Sequence, residues 1–243
     1  VYEDERLTYA QAHEHVNSLG NWLIGQGVQP GDRVAIAMRN YPEWILSYWA
    51  ILSVGATVVG MNAWWTGPEM LYALEDSTPK AIIADEERLA TLNSIRAKLA
   101  NLVVIGVRVP GSPADVTPWS DVIADPTPMP EIAIDPDSDA CIFYTSGTTG
   151  NPKGAQLTHR GCTTNIWSLM FAAALQRVLA VQKGLIEADA EPPVPSALVT
   201  TPLFHVTANN CVAHGTTLAG GKLTHMYKCC LLYTSPSPRD TMS

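Results

Sequence analysis

The stretch RVAIAMRNYPEWILSYWAILSVGATVVGM, residues 33–61, reads as strand, helix and strand in immediate succession. Arg33 to Met38 is a short, mostly apolar run of strand length. Pro42 suits the first turn of the next helix, where its missing N–H would have had no intrahelical partner, and that helix runs to about Val54. Thr57, Val58 and Val59 are β-branched and open a second strand that reaches Met61. No charged side chain occurs from Trp44 to Pro68. A membrane span needs roughly 20 largely apolar residues. Ser47, Ser53, Gly55, Thr57, Gly60 and Asn62 interrupt this stretch, so a buried helix followed by a buried strand is expected, with no integral membrane span.

The same alternation continues outward. Before it, Thr8 and Gln11 form a capping box. Tyr9, Ala12, Val16, Leu19 and Leu23 recur at helical spacing, and Gly25 and Gly27 end the helix. After it come a helix from Thr66 and Pro68 to Asp76, a strand from Lys80 to Ala84, a helix from Glu86 to Ala100 and a strand from Leu102 to Gly106. Strands alternating with helices imply parallel βαβ units, hence an α/β fold of mostly parallel sheets with flanking helices. Residues 108–139 carry prolines at 110, 113, 118, 126, 128, 130 and 136 and read as a long connection. Ala140 to Tyr144 is a strand, and a helix is expected over about Arg160 to Val181. Leu198 to Thr200 is a strand, followed by a loop over Pro202 to Thr207 and a helix to about Leu218. The expected organisation is a first α/β subdomain over 1–107, the connection over 108–139, and part of a second α/β subdomain over 140–228.

The charge balance is acidic, with 15 Lys plus Arg against 23 Asp plus Glu. That excludes a broad nucleic-acid or anionic-lipid surface but leaves room for local phosphate binding. Five cysteines, at 141, 162, 211, 229 and 230, make no CxxC pair or metal-ligand spacing. They read as reduced thiols, hence a cytoplasmic setting.

Residues 144–154 read Tyr-Thr-Ser-Gly-Thr-Thr-Gly-Asn-Pro-Lys-Gly. Gly147, Gly150 and Gly154 allow tight turns and close approach of a ligand to backbone. Thr145, Ser146, Thr148 and Thr149 add hydroxyl donors, and Lys153 adds one mobile positive charge. Many short donors, one cation and no carboxylate suit a polyphosphate. The pattern is not a Walker A loop, because Lys153 is followed by Gly154 where that motif needs Ser or Thr.

Tyr144 to Gly154 resembles the signature loop of the adenylate-forming enzymes: acyl-CoA synthetases, luciferases and peptide-synthetase adenylation domains. The resemblance runs from Val1 to about Lys228. Leu7-Thr8-Tyr9 looks like the family's entry to its first helix, and Gly31 to Ala35 like its GDRVA turn. Leu157-Thr158-His159-Arg160 and Pro202-Leu203-Phe204-His205 resemble its next shared segments. The resemblance implies part of a large N-terminal domain. It also implies a two-step reaction in which a carboxylate attacks the α-phosphate of Mg-ATP, and a thiol, usually that of CoA, then displaces AMP. ATP, Mg2+ and CoA are the implied co-substrates and cofactors. By similarity, Thr145, Ser146, Gly147, Thr148, Thr149, Gly150 and Lys153 hold the phosphates, with Lys153 stabilising the leaving group. His205 would line the acyl pocket; its alternative role is a strand-end hydrogen-bonder. Ala208 stands where the family often has glycine. Asn62 to Trp65 and Pro202 to Thr207 look most like bacterial fatty-acyl-CoA synthetases. An aryl-CoA ligase, an adenylation domain and a non-catalytic nucleotide-binding fragment remain alternatives.

The family's later motifs, for Mg2+, ribose and the C-terminal lysine, are expected after residue 228 and are not found. Cys230 to Asp240, CLLYTSPSPRD, looks like one reading frame of a sequencing adapter, with Thr241 to Ser243 as barcode. Cys229 fits a tryptophan codon whose last base was replaced by the adapter's first. Residues 229–243 are therefore set aside from fold reasoning, the alternative being a genuine Ser/Pro tail.

Overall fold

The computed structural model describes residues 1–99, 101–111, 113–145 and 151–227. Seven strands make one sheet: β1 (Arg33–Ala37), β2 (Thr57–Gly60), β3 (Ala81–Asp85), β4 (Val103–Val107), β5 (Thr117–Pro118), β6 (Asp139–Thr145) and β7 (Lys153–Thr158). Their order is β5-β4-β3-β1-β2-β6-β7. Every neighbouring pair is parallel except β6–β7. The α/β fold with a mostly parallel sheet is thus as the sequence predicts. The sheet crosses the proline-rich connection without a break, since β6 pairs with β2.

Alternation along β1 decides what covers each face. Val34 and Ile36, followed by Met38, point to the side of α1 (Tyr9–Gly25) and α2 (Pro42–Ser53), where Leu19, Leu23, Trp44 and Ile51 join them. Ala35 and Ala37 point the other way, toward Met70 and Leu74 of α3 (Gly67–Ser77) and Leu89 and Leu92 of α4 (Glu86–Asn93). Strands buried on both faces read as continuous apolar runs, which is why β1, β2 and β3 were legible. Trp44 and Tyr48 are fully buried and stack at 5.7 Å, so residues 44–60 form a core helix and strand. Both caps of the N-terminal turns hold: Thr8 accepts from Gln11 N, and Thr66 and Glu69 close a second box.

Three expectations for the large sheet and its flanking segments change. The helix expected over 86–100 stops at Asn93, and a 3-10 turn at Arg96–Lys98 follows. The stretch 108–139 contains β5 and α5 (Trp119–Val122), too short to carry a periodic signal. The loop after β6 does not lead straight into a helix: β7 first runs back antiparallel to β6, and α6 (His159–Gln182) follows.

A second sheet pairs β8 (Ser196–Val199) in parallel with β9 (Lys222–His225). The crossover is a π-helical segment, Thr207–Ala213, continued by α7 (His214–Leu218), where one uninterrupted helix was expected. The N-terminus lies against β9: Val1 N donates to Leu223 O at 2.7 Å, and His225 N donates to Val1 O at 2.8 Å. Among the described residues, α6 is long and apolar enough to cross a membrane, and its Trp167 and Phe171 are exposed.

Candidate active site

The carboxyl ends of parallel strands are where open α/β sheets bind ligands. Here four chain segments meet at that end. The first is the hairpin of β6 and β7. Thr145, the last residue of β6, pairs with Lys153, the first of β7, and Thr145 Oγ1 donates to Lys153 O at 3.4 Å. The two predicted phosphate-binding residues at the ends of the loop are therefore side by side at the hairpin's mouth. Ser146, Gly147, Thr148, Thr149 and Gly150 lie outside the described residues. Lys153 is exposed, and no ion pair among the described residues includes it. An ammonium without a carboxylate partner is what a phosphate-binding lysine needs.

Packing holds the root of this hairpin. Tyr144 OH donates to Asp76 Oδ2 at 2.6 Å, and the Tyr144 ring meets Trp65 edge-on at 5.5 Å. Burial, and then the Asp76 hydrogen bond, raise the Tyr144 hydroxyl above the usual phenol range. Gly154 faces Tyr144 across the ladder; a Cβ there would come within 2.8 Å of Ile142 Cγ2. Glycine at 154 is thus a packing requirement of the hairpin as well as a loop feature.

The second segment is the turn after β8. Asn40, buried just beyond β1, donates through Nδ2 to Thr201 O at 3.0 Å and accepts from Leu203 N at 2.9 Å. One amide side chain thereby docks the Pro202–His205 turn on the large sheet. Gly60, ending β2, has no side chain to keep that turn away: a Cβ would lie 2.8 Å from the Phe143 ring and 3.5 Å from Phe204 Cα. Phe204 then meets Trp64 edge-on at 5.2 Å. His205 is exposed, and its Nδ1 accepts from Thr207 N at 3.2 Å. In the neutral ring that contact leaves the proton on Nε2, where it can donate to an incoming oxygen. The structure thus places His205 at the same end of the sheet as Thr145 and Lys153.

The third and fourth segments follow β2 and β3. Asp85 caps α4 by accepting from Arg88 N at 3.0 Å, and it binds the Arg88 guanidinium at 2.8 Å. Its other oxygen accepts from Arg39 N at 2.9 Å, while Arg88 Nε donates to Ala63 O at 2.9 Å. This buried pair ties together the backbone leaving β1, β2 and β3. The Arg39 guanidinium lies over Trp64 at 4.8 Å. Asn40, Gly60 and the Asp85–Arg88 pair are site-forming residues that sequence reasoning missed. Asn40 and Asp85 had only their place just after a predicted strand as a signal, Gly60 lay inside one, and Arg88 lay inside a predicted helix. Among the described residues no group of three or more His, Cys, Asp or Glu side chains is arranged to hold a metal.

The AMP-binding enzyme family model matches residues 1–233. The chain belongs to the AMP-binding enzyme family. That match runs five residues past 228, into the stretch 229–243 that lies outside the described residues. Feruloyl-CoA synthase from Amycolatopsis sp is 34% identical over 215 residues, covering 88% of this chain and 38% of that protein. Long-chain-fatty-acid–CoA ligase FadD13 from Mycobacterium tuberculosis is 32% identical over 163 residues, covering 64% of this chain and 30% of that protein. The anthranilate CoA ligase AuaEII, solved in complex with anthranoyl-AMP, superposes with a TM-score of 0.80 at 22% identity, covering 96% of this chain and 42% of that one. The fold of this AMP-binding family member is therefore that of known CoA ligases, and the chain spans about two-fifths of their length.

Proposed function

We propose that this chain is the phosphate-loop-bearing part of an ATP-dependent carboxylate–CoA ligase. The observation that carries the reading is the β6–β7 hairpin, with Thr145 and Lys153, which joins no ion pair among the described residues, at its mouth, on a chain of the AMP-binding family. In the reaction, a carboxylate oxygen attacks the α-phosphorus of ATP and pyrophosphate leaves, giving an acyl-adenylate. The sulfur of CoA then attacks the acyl carbon, and AMP leaves. Thr145, Ser146, Thr148, Thr149 and Lys153 hold the phosphates, with Gly147 and Gly150 allowing their close approach. Lys153 and these donors spread the charge that develops on departing pyrophosphate. Mg2+ bound to the ATP phosphates would offset their charge during the attack, and the residues that would hold it are expected after residue 228. His205, with its Nε2–H free to donate, lines the acyl pocket beside Phe204.

The acid is read as a fatty acid, on the resemblance of residues 62–65 and 202–207 to bacterial fatty-acyl-CoA synthetases. A second reading, an aromatic acid, is favoured by the Trp64–Phe204 pair beside His205 and by the similarity to feruloyl-CoA synthase. The setting is read as cytoplasmic, with no membrane span and no nucleic-acid partner. The 243-residue chain by itself is expected to be inactive. The test extends the gene downstream to the length of its relatives and assays acyl-CoA formation with palmitate and with ferulate. Turnover with palmitate supports the first reading, and turnover with ferulate alone supports the second. No ATP-dependent thioester with any carboxylic acid overturns both.

A further inference from the structure

Arg39 stands two residues past the end of β1, and the proposed chemistry gives its side chain no task. Its backbone is fixed, since Arg39 N donates to Asp85 Oδ2 at 2.9 Å. Its guanidinium lies over the Trp64 ring at 4.8 Å and over the Tyr227 ring at 5.7 Å. Aromatic faces attract a guanidinium and leave its in-plane N–H groups for other partners. Those groups are unmatched here. Nε and Nη1 are buried without a hydrogen-bond partner, and no ion pair among the described residues includes Arg39. The carboxylates beside it are already engaged. Asp85 binds Arg88 and the Arg39 backbone N–H. Glu87 accepts from Tyr227 OH at 2.8 Å and pairs with Arg88. A buried donor without an acceptor costs free energy, which an anion supplying acceptors to the guanidinium would recover.

The surroundings select the anion. Trp64 is 56% exposed, so the ring that covers the guanidinium lies at the protein surface. The turn that bears it also reaches the rest of the site: Trp64 meets Phe204 at 5.2 Å, and Trp65 meets Tyr144 at the hairpin root at 5.5 Å. In the proposed reaction the carboxylate of the acid is the nucleophile, and a guanidinium on it would draw charge from the attacking oxygen. A phosphate meets no such conflict, and the arginine fork matches its oxygens. Both nucleotides of the reaction, ATP and CoA, carry several phosphates. We propose that Arg39, held between Trp64 and Tyr227, binds a phosphate group of a nucleotide substrate at a subsite separate from the loop over 145–153. The choice of ligand rests on the ligase reading; the unmatched guanidinium does not.

The experiment measures the binding of ATP, CoA and pantetheine by titration calorimetry. The proteins are the gene product extended to the length of its relatives and its Arg39→Gln variant. The expected result is that Arg39→Gln weakens ATP or CoA roughly tenfold or more, while pantetheine, which has no phosphate, binds both proteins alike. A loss confined to CoA assigns the subsite to a CoA phosphate. A loss confined to ATP assigns it to an ATP phosphate and should add to the loss in Lys153→Ala. Added salt should weaken nucleotide binding more steeply in the unaltered protein than in the variant, which lacks one charge contact. Should Arg39→Gln fail to fold, Arg39→Lys, which keeps the charge but not the planar fork, decides by the same comparison. The proposal is overturned if ATP and CoA bind the variant as they bind the unaltered protein, even where the variant melts at a lower temperature. It is also overturned if pantetheine weakens by the same factor as CoA, or if the unaltered protein binds neither nucleotide. Arg39-dependent nucleotide binding without thioester formation from any acid would overturn the ligase reading and leave the subsite standing.

Discussion

Lys153 carries the sharpest residue-scale expectation. It is exposed at the hairpin mouth, and no ion pair among the described residues includes it, so replacing it should not harm the fold. In the extended polypeptide, Lys153→Ala should remove one charge-assisted phosphate contact. That predicts a loss of about 1.5–3 kcal/mol, or roughly ten- to a hundred-fold, in pyrophosphate exchange. Thioester formation from preformed acyl-adenylate should fall less. His205→Ala should shift acid preference or adenylation rate while ATP affinity stays nearly constant; a lower melting temperature with unchanged kinetics would assign His205 a structural role. Arg88 gives the stability counterpart. Its side chain is buried against Asp85, and Arg88→Ala would strand that carboxylate without a charge partner. A cost of about 3–5 kcal/mol is expected, read as a lower urea midpoint. Thr145, Lys153 and His205 could be proposed from the sequence because the motifs that carry them are local in the chain. Asn40 and the Asp85–Arg88 pair were not, because their partners, residues 201–203 and 63, are set by tertiary packing.

At the scale of elements, the central strands announced themselves and the edge strand did not. β1, β2 and β3 are buried on both faces, and their apolar runs carry that fact in composition. β7 reads KGAQLT, and its first four residues are exposed. Strand structure there comes from register with β6 and not from propensity, which single-sequence reasoning cannot see. The break at Asn93–Ser94 and the π-helical start at Thr207 likewise left no mark in the apolar pattern that was read. The histidines of α7 and β9 give a pH test. His214 and His225 are buried, and burial pulls each down from 6.5 to about 4. A depressed pKa means that the unfolded chain binds the proton more readily than the folded one. Their contribution to stability is therefore complete above pH 6.5 and is lost as pH falls toward 4. The urea midpoint should drop over that window, and His214→Phe should flatten part of the slope. A midpoint constant across the window in the unaltered chain would contradict these environments.

For the whole molecule, the geometry that unites the site is the shared carboxyl end of the parallel strands. The hairpin of β6 and β7, the turn held by Asn40 and the Asp85–Arg88 tie all converge there. That convergence follows from the βαβ order, so the site's location was predictable once the fold class was. Which carboxylic acid the proposed ligase would take was not, because aromatic and aliphatic acids are distinguished by pocket shape and not by motif. The exposed Trp167 and Phe171 on α6 form an apolar face that should bind a hydrophobic dye in the 243-residue chain. The same chain is expected to give no acyl-CoA, since phosphate donors alone do not hold adenine, ribose and the reacting carboxylate in line. The most direct test of the central claim is acid-dependent exchange of labelled pyrophosphate into ATP by the gene product extended to the length of its relatives. The account predicts exchange that requires a carboxylic acid and falls roughly ten- to a hundred-fold in Lys153→Ala. Exchange at the unaltered rate in that variant, or none with any acid in the unaltered protein, would contradict it.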